Sequence, residues 1–336
     1  MGGKSPEHEI SILSGQQVVL NLNPKKYEVL PVIISKSGIW KLTTKDEILN
    51  LNNPIKFKGT SKEITIKAKE EISETKSMLA KGVDVVFIAM HGPYGEDGTI
   101  QGMLELSGIK YTGSGVLASS LCMDKEFFRQ FMKSHKFDVP KYICIKKDDK
   151  LNKNEIVKKL GRGPYFIKPV SGGSSVGSSV AKNFIELVSS VNLAFKYDNR
   201  VLIDEYVKGL ELTCAVLGND KPIALPVVEI HPLKGDFFDY DSKYSDKGSE
   251  EIVPANISTV LTKKVQNLAT KVYKAVGCRG FGRVDFILKD NKLPIILEIN
   301  TIPGLTQMSL LPKAAKAAGK TYGELLDIIV NNALVK

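Results

Sequence analysis

Apolar residues recur at helical spacing over 9–22 (Ile10, Leu13, Val18, Leu22), and the apolar run over 27–34 that follows reads as a strand. A second helical pattern over 66–79 ends at Gly82 and leads into the apolar strand pattern of 83–90. This alternation predicts a small parallel sheet with helices on its faces, whose ligands bind in loops at the carboxyl ends of the strands. His91-Gly-Pro-Tyr-Gly-Glu-Asp-Gly98 follows that strand directly and is too rich in glycine and charge for simple packing. A Gly-Gly turn leading into a helix normally follows a first strand, and here it begins at residue 2. Either the chain is shortened at its start or the sheet lacks its first strand.

The pattern then changes. A helix is predicted over 116–136, carrying Lys125, with short elements after it: strand 142–145, helix 154–160 and strand 165–169. The turn over 171–177 joins that strand to one over 176–181, and a helix over 183–195, capped by Asn183, precedes strand 201–205. Such a block reads as an antiparallel sheet with helices on one side. Strands over 210–217 and 223–229 open the last third, and a long polar loop over 235–251 follows, as expected of a mobile lid. Ser258 caps a helix through Val276, ended by Gly277. Two strands, over 281–285 and 294–300, and helices over 309–318 and 322–334 close the chain. The fold class is therefore mixed α/β and α+β, divided as 1–118, 119–208 and 209–336.

Composition narrows the function. A chain of 336 residues, 43% hydrophobic, can bury a sizeable core. The formal charge of +10 suggests a nucleic-acid partner, yet five of the 47 basic residues are arginines and the lysines are interspersed with acids. Nucleic acid is not an expected partner. The longest apolar runs, 29–34 and 83–90, are too short to span a bilayer, and the N-terminus has no hydrophobic signal core. A cytoplasmic protein is expected, without a membrane partner. Cys122, Cys144, Cys214 and Cys278 are scattered without metal or redox spacing and read as reduced and buried.

The chemistry concentrates late in the chain. Asp285 stands inside an apolar run, and Glu298 and Asn300, two residues apart, point to one strand face. Buried carboxylates are costly unless paired or bound to metal. Two carboxylates and an amide suit Mg²⁺ completed by nucleotide phosphates; salt bridges at a sheet edge are the other reading. The 171–177 turn, Ser-Gly-Gly-Ser-Ser-Val-Gly, offers backbone N–H groups to a phosphate, or is a plain flexible hairpin. Lys168 ends an apolar strand just before it, an odd place for a lysine that meets no anion. Lys125 is a second candidate cation or a solvated helix lysine. Strand 201–205 with Val207 and Glu211 offers an apolar wall and a carboxylate for a nucleoside. With Arg283 near the developing negative charge, these pieces suffice for phosphoryl transfer. There is no Ser-His-Asp or Cys-His arrangement and no zinc spacing.

In order along the chain, Gly-Gly-Lys-Ser-Pro-Glu-His-Glu-Ile-Ser (2–11), His-Gly-Pro-Tyr-Gly-Glu-Asp-Gly-Thr-Ile-Gln-Gly (91–102), Tyr-Thr-Gly-Ser-Gly (111–115), Met-Asp-Lys (123–125) and Lys-Pro (168–169) resemble the D-alanine–D-alanine ligase family. So do Gly-Ser-Ser-Val-Gly (173–177), Asp-Tyr-Asp-Ser-Lys-Tyr (239–244), Gly-Arg-Val-Asp (282–285) and Glu-Ile-Asn-Thr-Ile-Pro-Gly (298–304). The resemblance implies the ATP-grasp fold behind a Rossmann-like N-terminal domain. It implies that D-alanine takes the γ-phosphate of ATP to give an acyl phosphate, which the amine of a second D-alanine attacks. Asp285, Glu298 and Asn300 would hold two Mg²⁺ (or Mn²⁺) ions, and Lys125 and Lys168 would contact the phosphates. The loop of Gly173, Ser174, Ser175 and Val176 would cover them, while Glu205, Val207 and Glu211 bind adenosine. Glu7 would pair with the first substrate's ammonium, with His91 near it, and Arg283 and the Gly304 N–H would form the oxyanion site. Lys243, Ser309 and Leu310 would seat the second substrate. Glu7, Ser174 and Tyr244 would form a link between domains. The resemblance also implies a homodimer. Ser171-Gly172 departs from a bulkier polar pair common in relatives, and Tyr244 favours D-alanine over D-lactate as the second substrate. Loss of catalysis in a nucleotide-binding relative is the reading from another class.

Overall fold

A computed structural model describes residues 1–49, 82–233 and 248–335; the helix predicted over 66–79, most of the 235–251 loop, and Lys243 and Tyr244 lie outside the described residues. The chain opens with residues 1–3 running alongside β1 (Val32–Ile34), where Gly3 N–H donates to Ile34 O (2.8 Å) and Ile34 N–H to Met1 O (2.9 Å). Gly2 has φ +87°, and a Cβ there would strike the Ile34 carbonyl, so glycine is required at this approach. α1 (His8–Asn21) follows, and β1 pairs antiparallel with β2 (Trp40–Leu42) ahead of α2 (Lys45–Leu49).

The apolar run over 83–90 makes a single parallel bridge, Val86 to Tyr111, instead of the expected regular strand. Side chains take backbone donors that a ladder would use. Ile88 N–H goes to Thr112 Oγ1 (3.0 Å) and His91 N–H to Ser11 Oγ (2.9 Å). Parallel pairing in this region is thus confined, among the described residues, to isolated bridges.

α3 (Thr99–Leu106), α4 (Val116–Met123) and α5 (Lys125–Ser134) come next. The single helix expected over 116–136 is two, because Asp124 is extended (φ −86°, ψ 99°) and its carboxylate accepts from the Glu126 and Phe127 N–H groups. An N-cap aspartate starts a new helix. Lys125 therefore stands at the first position of a helix.

The central sheet is antiparallel, as expected. Its elements are β3 (Tyr142–Lys146), α6 (Lys153–Leu160), β4 (Tyr165–Pro169), β5 (Ser179–Ala181), α7 (Phe184–Ala194) and β6 (Arg200–Glu205), with strand order β3-β6-β4-β5. Ile156, Leu160, Leu187 and Val191 of the two helices bury one sheet face against Ile143, Ile167 and Ile203. Asn183 caps α7 as predicted. β5 begins three residues later than expected because 171–178 is loop, with Ser174 and Ser175 both left-handed (φ +52° and +57°).

The C-terminal part holds β7 (Gly209–Leu217), β8 (Ile223–Ala224), β9 (Val228–Pro232), β10 (Ser249–Ile252), α8 (Thr259–Ala275), β11 (Phe281–Lys289), β12 (Leu293–Asn300), α9 (Leu310–Ala317) and α10 (Tyr322–Leu334). The strand expected over 223–229 is split at Pro226, which cannot donate to a ladder. The sheet runs β10-β9-β7-β11-β12, with β8 beside β7, all antiparallel. Strand alternation divides its duties. Val284, Phe286 and Leu288 pack on Val265, Ala269 and Val272 of α8, leaving Arg283, Asp285 and Ile287 on the opposite face. One further core joins the ends of the chain, packing Val18, Leu22, Ile88 and Met90 with Phe281, Leu311, Leu325 and Ile329.

Candidate active site

The face of β11 that carries Arg283, Asp285 and Ile287 forms one wall of a cavity of about 270 Å³ between the two antiparallel sheets. Lys125, Lys168, Gly173, Ser174, Ser175, Val176, Glu205, Val207 and Glu211 all line it, together with Glu298 and Leu310. Every residue expected at the nucleotide is thus brought to one space. Phe166, Ile287, Leu297 and Ile230 add apolar lining that the sequence reading did not single out. Period-two alternation from Lys168 and from Asp285 would have found Phe166 and Ile287.

β12 aims Glu298 and Asn300 through a bulge. Asp285 stands opposite Glu298 but Phe286 opposite Ile296, so Leu297 is an extra residue on β12. The shift lets Ile296 and Ile299 both enter the core while Glu298 and Asn300 share the other face. Arg283 holds Asp285 in a two-pronged pair, Nε to Oδ1 and Nη2 to Oδ2, each 2.8 Å, and Thr213 Oγ1 donates to Oδ1 at 2.5 Å. Of the two sequence readings of Asp285, the described residues show the ion pair. Among the described residues no group of three or more His, Cys, Asp or Glu could hold a metal ion. The set is two carboxylates and an amide. Directly opposed carboxylates on neighbouring strands repel unless a cation stands between them, and all-oxygen donors fit a hard divalent ion. Asn300 Oδ1 accepts from Ile302 N–H (3.2 Å) and keeps a second lone pair.

Lys168 is buried, 7% exposed, and its Nζ lies 3.4 Å from Asp204 Oδ2. Burial first, and the Arg129 guanidinium beside it, push its pKa down to about 8, while Asp204 and Glu298 pull the other way. Bound phosphate favours the ammonium, so nucleotide affinity is expected to hold below pH 8 and to fall by up to about tenfold per pH unit above it. Binding near pH 8.5 should take up a proton. Calorimetry in two buffers of different ionisation enthalpy measures this, and an equal heat in both would refute it.

Lys125 Nζ donates to Gly172 O (2.6 Å), which ties it to the glycine-rich loop. Ser174 Oγ donates to Glu7 Oε1, and a Cβ on either Gly92 or Gly173 would lie 2.5 Å from Glu7 Oε2. The carboxylate of Glu7 is thus wedged between the loop over the cavity and the 91–98 loop. Glycine at both positions is what admits it.

His91 is buried and fully engaged. Its Nδ1 faces Ile302 O (3.0 Å) and its Nε2 faces Ser14 Oγ (2.8 Å), so Nδ1–H donates to the carbonyl and Nε2 accepts from the hydroxyl. Burial lowers its pKa and keeps it neutral, against the pull of Glu7. Ser14 Oγ in turn accepts from Leu305 N–H at 3.4 Å, so this pair grips both sides of Gly304. Glu96, missed in the sequence, is buried beside it and accepts Gly92 N–H at 2.5 Å. Burial, then the Glu7 carboxylate, pushes its pKa well above the usual carboxylate range. Ser309 Oγ would sit 2.8 Å from a Cβ on Gly304 and accepts Thr306 N–H at 3.2 Å. Glu7, His91, Asn300, Gly304 and Ser309 do not line the cavity.

The fold and this site define a mixed α/β protein of several sheets whose cleft gathers lysines, a glycine-rich loop and opposed carboxylates. Comparison with known proteins gives its family. Residues 1–114 match the model of the D-ala D-ala ligase N-terminus and residues 131–331 that of the D-ala D-ala ligase C-terminus. The D-alanine--D-alanine ligase B of Clostridium tetani is 40% identical over 337 residues, covering 99% of this chain and 92% of that protein. The D-alanine--D-alanine ligase of Clostridium beijerinckii is 39% identical, covering 99% and 97%. Among solved structures, the VanG D-Ala:D-Ser ligase of Enterococcus faecalis superposes with a TM-score of 0.84 at 35% identity, covering 99% of this chain and 97% of that one. The D-alanine-D-alanine ligase of Coxiella burnetii gives 0.81 at 29% identity, covering 99% and 93%. The chain belongs to the D-alanine–D-alanine ligase family.

Proposed function

We propose that this protein is an ATP-dependent ligase that joins two D-alanines into D-alanyl-D-alanine for peptidoglycan precursors, with the ATP-grasp fold around its cleft. The observation that carries the reading is the convergence of its nucleotide motifs on one cavity in a chain matched by both family models. ATP lies with its adenosine on Glu205, Val207 and Glu211 and its phosphates toward Lys125, Lys168 and the 173–176 loop. Asp285, Glu298 and Asn300 would hold two Mg²⁺ or Mn²⁺ ions, which supply charge neutralisation of the triphosphate.

The first D-alanine places its ammonium on Glu7. Its carboxylate attacks the γ-phosphorus, a P–O bond to ADP breaks, and an acyl phosphate results. The amine of the second D-alanine, seated by Ser309, Leu310 and Lys243, then attacks the acyl carbon, and phosphate leaves. Negative charge gathers on the former carbonyl oxygen in that step. Arg283 and the Gly304 N–H would donate to it, and the Ser14–His91 grip on Ile302 and Leu305 would keep the Gly304 backbone from drifting. Ser174 and Glu7, with Tyr244, couple the closing of the loop to the first substrate's arrival.

The purified protein with ATP and Mg²⁺ is expected to release phosphate on addition of D-alanine and to give a dipeptide of D-alanyl-D-alanine mass. Nucleotide binding without D-alanine-dependent phosphate release would leave only a binding protein. Offering D-alanine with D-serine or D-lactate, and weighing the product, reads the second substrate directly. A cytoplasmic homodimer belongs to the same reading; no helix among the described residues is long and apolar enough to cross a membrane. A monomer mass in sedimentation equilibrium would remove the dimer.

A further inference from the structure

We propose that Asp198 and Arg200 are positioning residues for the phosphates of the nucleotide, fixing Lys125 and the start of the 171–177 loop without touching the ligand. The inference rests on the reading of the cleft given above. Neither residue lines the cavity. Asp198 lies between α7 and β6, and Arg200 opens β6. The Asp198 carboxylate divides its oxygens. Oδ1 accepts the Arg200 N–H at 2.9 Å, and Oδ2 accepts the Ser171 N–H, first residue of the loop, at 2.7 Å.

The Arg200 side chain reaches the other way, to the two acids that flank Lys125. Nη1 meets Glu126 Oε2 at 3.1 Å and Nη2 meets Asp124 Oδ2. Asp124 Oδ1 meanwhile caps α5 through the N–H groups of Glu126 (3.1 Å) and Phe127 (2.9 Å). One oxygen serves the helix and the other serves Arg200, so the guanidinium fixes the rotamer that starts α5 at Lys125. Backbone bonds close the frame, from Lys125 N–H to Val170 O and from Val170 N–H to Arg200 O, each 3.1 Å. The result is a ring of interactions that runs from the phosphate-facing lysine to the loop and back.

Ion pairs that remain partly exposed contribute little to stability, and Arg200 is 25% exposed with Asp124 at 16%. What the frame sets is geometry. A lysine and a loop already standing where phosphates will lie bind them without first losing conformational freedom. Removing the frame should therefore weaken ATP more than D-alanine, which meets this loop only through the Ser174–Glu7 bond.

The test uses the full-length protein with Asp198→Ala, Asp198→Asn, Arg200→Gln and Arg200→Lys, measuring ATP binding by calorimetry and KM for ATP and for D-alanine. Asp198→Ala and Arg200→Gln each remove two charged contacts of the frame and are expected to raise Kd and KM for ATP about tenfold, because those contacts position the phosphate-binding groups and do not touch the ligand. KM for D-alanine should rise much less than KM for ATP, and the unfolding midpoint should stay at the wild-type value. Asp198→Asn, whose single amide oxygen can accept one of the two N–H groups, and Arg200→Lys, which keeps the charge, should recover part of the ATP affinity. ATP affinity equal to wild type in both disruptive variants would overturn the proposal. So would parallel losses for ATP and D-alanine with a lowered midpoint, the mark of general damage. A wild-type protein that binds no ATP would overturn the reading of the cleft itself.

Discussion

Glu298→Gln is expected to lower D-alanine-dependent phosphate release on the order of 10²–10³-fold, the usual cost of removing one group that stabilises transition-state charge. The fold should survive intact. Glu298 stands directly opposite Asp285 across β11 and β12, and the bulge at Leu297 turns it away from the core that Ile296 and Ile299 enter. Glutamine keeps the shape and one acceptor oxygen there but removes one of two opposed like charges. Arg283 already pairs with Asp285, and Glu298 helps hold the Lys168 proton, so neither a large gain nor a large loss follows and the unfolding midpoint should stay close to wild type. With the cation and triphosphate present it takes away a charge on which both depend. The concentration of Mg²⁺ giving half-maximal rate should accordingly rise. Activity within twofold of wild type would remove Glu298 from the ion-binding set, and a falling midpoint would make its role structural.

Much of this site was legible because its chemistry breaks local rules. Lys168 ends an apolar strand, Asp285 interrupts another, and Gly-Gly-Ser-Ser stands where a hairpin would need fewer glycines. Such exceptions survive where a ligand compensates them. The caps of α7 and α8 at Asn183 and Ser258 were readable for a simpler reason: capping is decided within three residues of chain. What failed were features settled at longer range. The break at Asp124 lies inside a continuous helical pattern, and Arg200, 76 residues away, holds the aspartate that makes it. Thr112 and Ser11 take backbone donors from the 83–91 segment, so an apolar run with every local mark of a strand makes one bridge. Glu96 stands inside the 91–98 motif, yet its raised pKa follows from burial and then from Glu7, 89 residues earlier. Nothing local marks Arg129 or Asp204 as a pair. Each looks ordinary in its own element, and only the pairing makes them exceptional.

That pair carries the largest stability effect expected here. Arg129 has no exposed surface and Asp204 is 3% exposed; the two are joined through both guanidinium NH₂ groups, Nη2 to Oδ2 at 2.8 Å and Nη1 to Oδ1. Among the described residues Arg129 Nε has no hydrogen-bond partner, and the guanidinium stands 5.4 Å from the centre of the Tyr142 ring. Asp204→Asn leaves this cation buried without a counter-charge, a change that costs about 3–5 kcal/mol in comparable pairs. Urea unfolding measures it, and a midpoint equal to wild type would refute the argument. The double variant Arg129→Met, Asp204→Leu removes both charges and should recover most of that loss, since buried pairs return little beyond their desolvation cost. Asp204 is also the acid 3.4 Å from the Lys168 ammonium and one of those that hold its proton on, whereas Arg129 pushes that proton off more strongly. In Asp204→Asn, Lys168 therefore loses its proton at lower pH, and ATP affinity should fall with its charge. In the double variant the Arg129 charge is gone as well, so Lys168 keeps its proton and ATP affinity should return together with stability. Nucleotide binding weakened in the single variant and restored in the double would show the two duties of Asp204: neutralising Arg129 in the core and keeping Lys168 charged in the cleft.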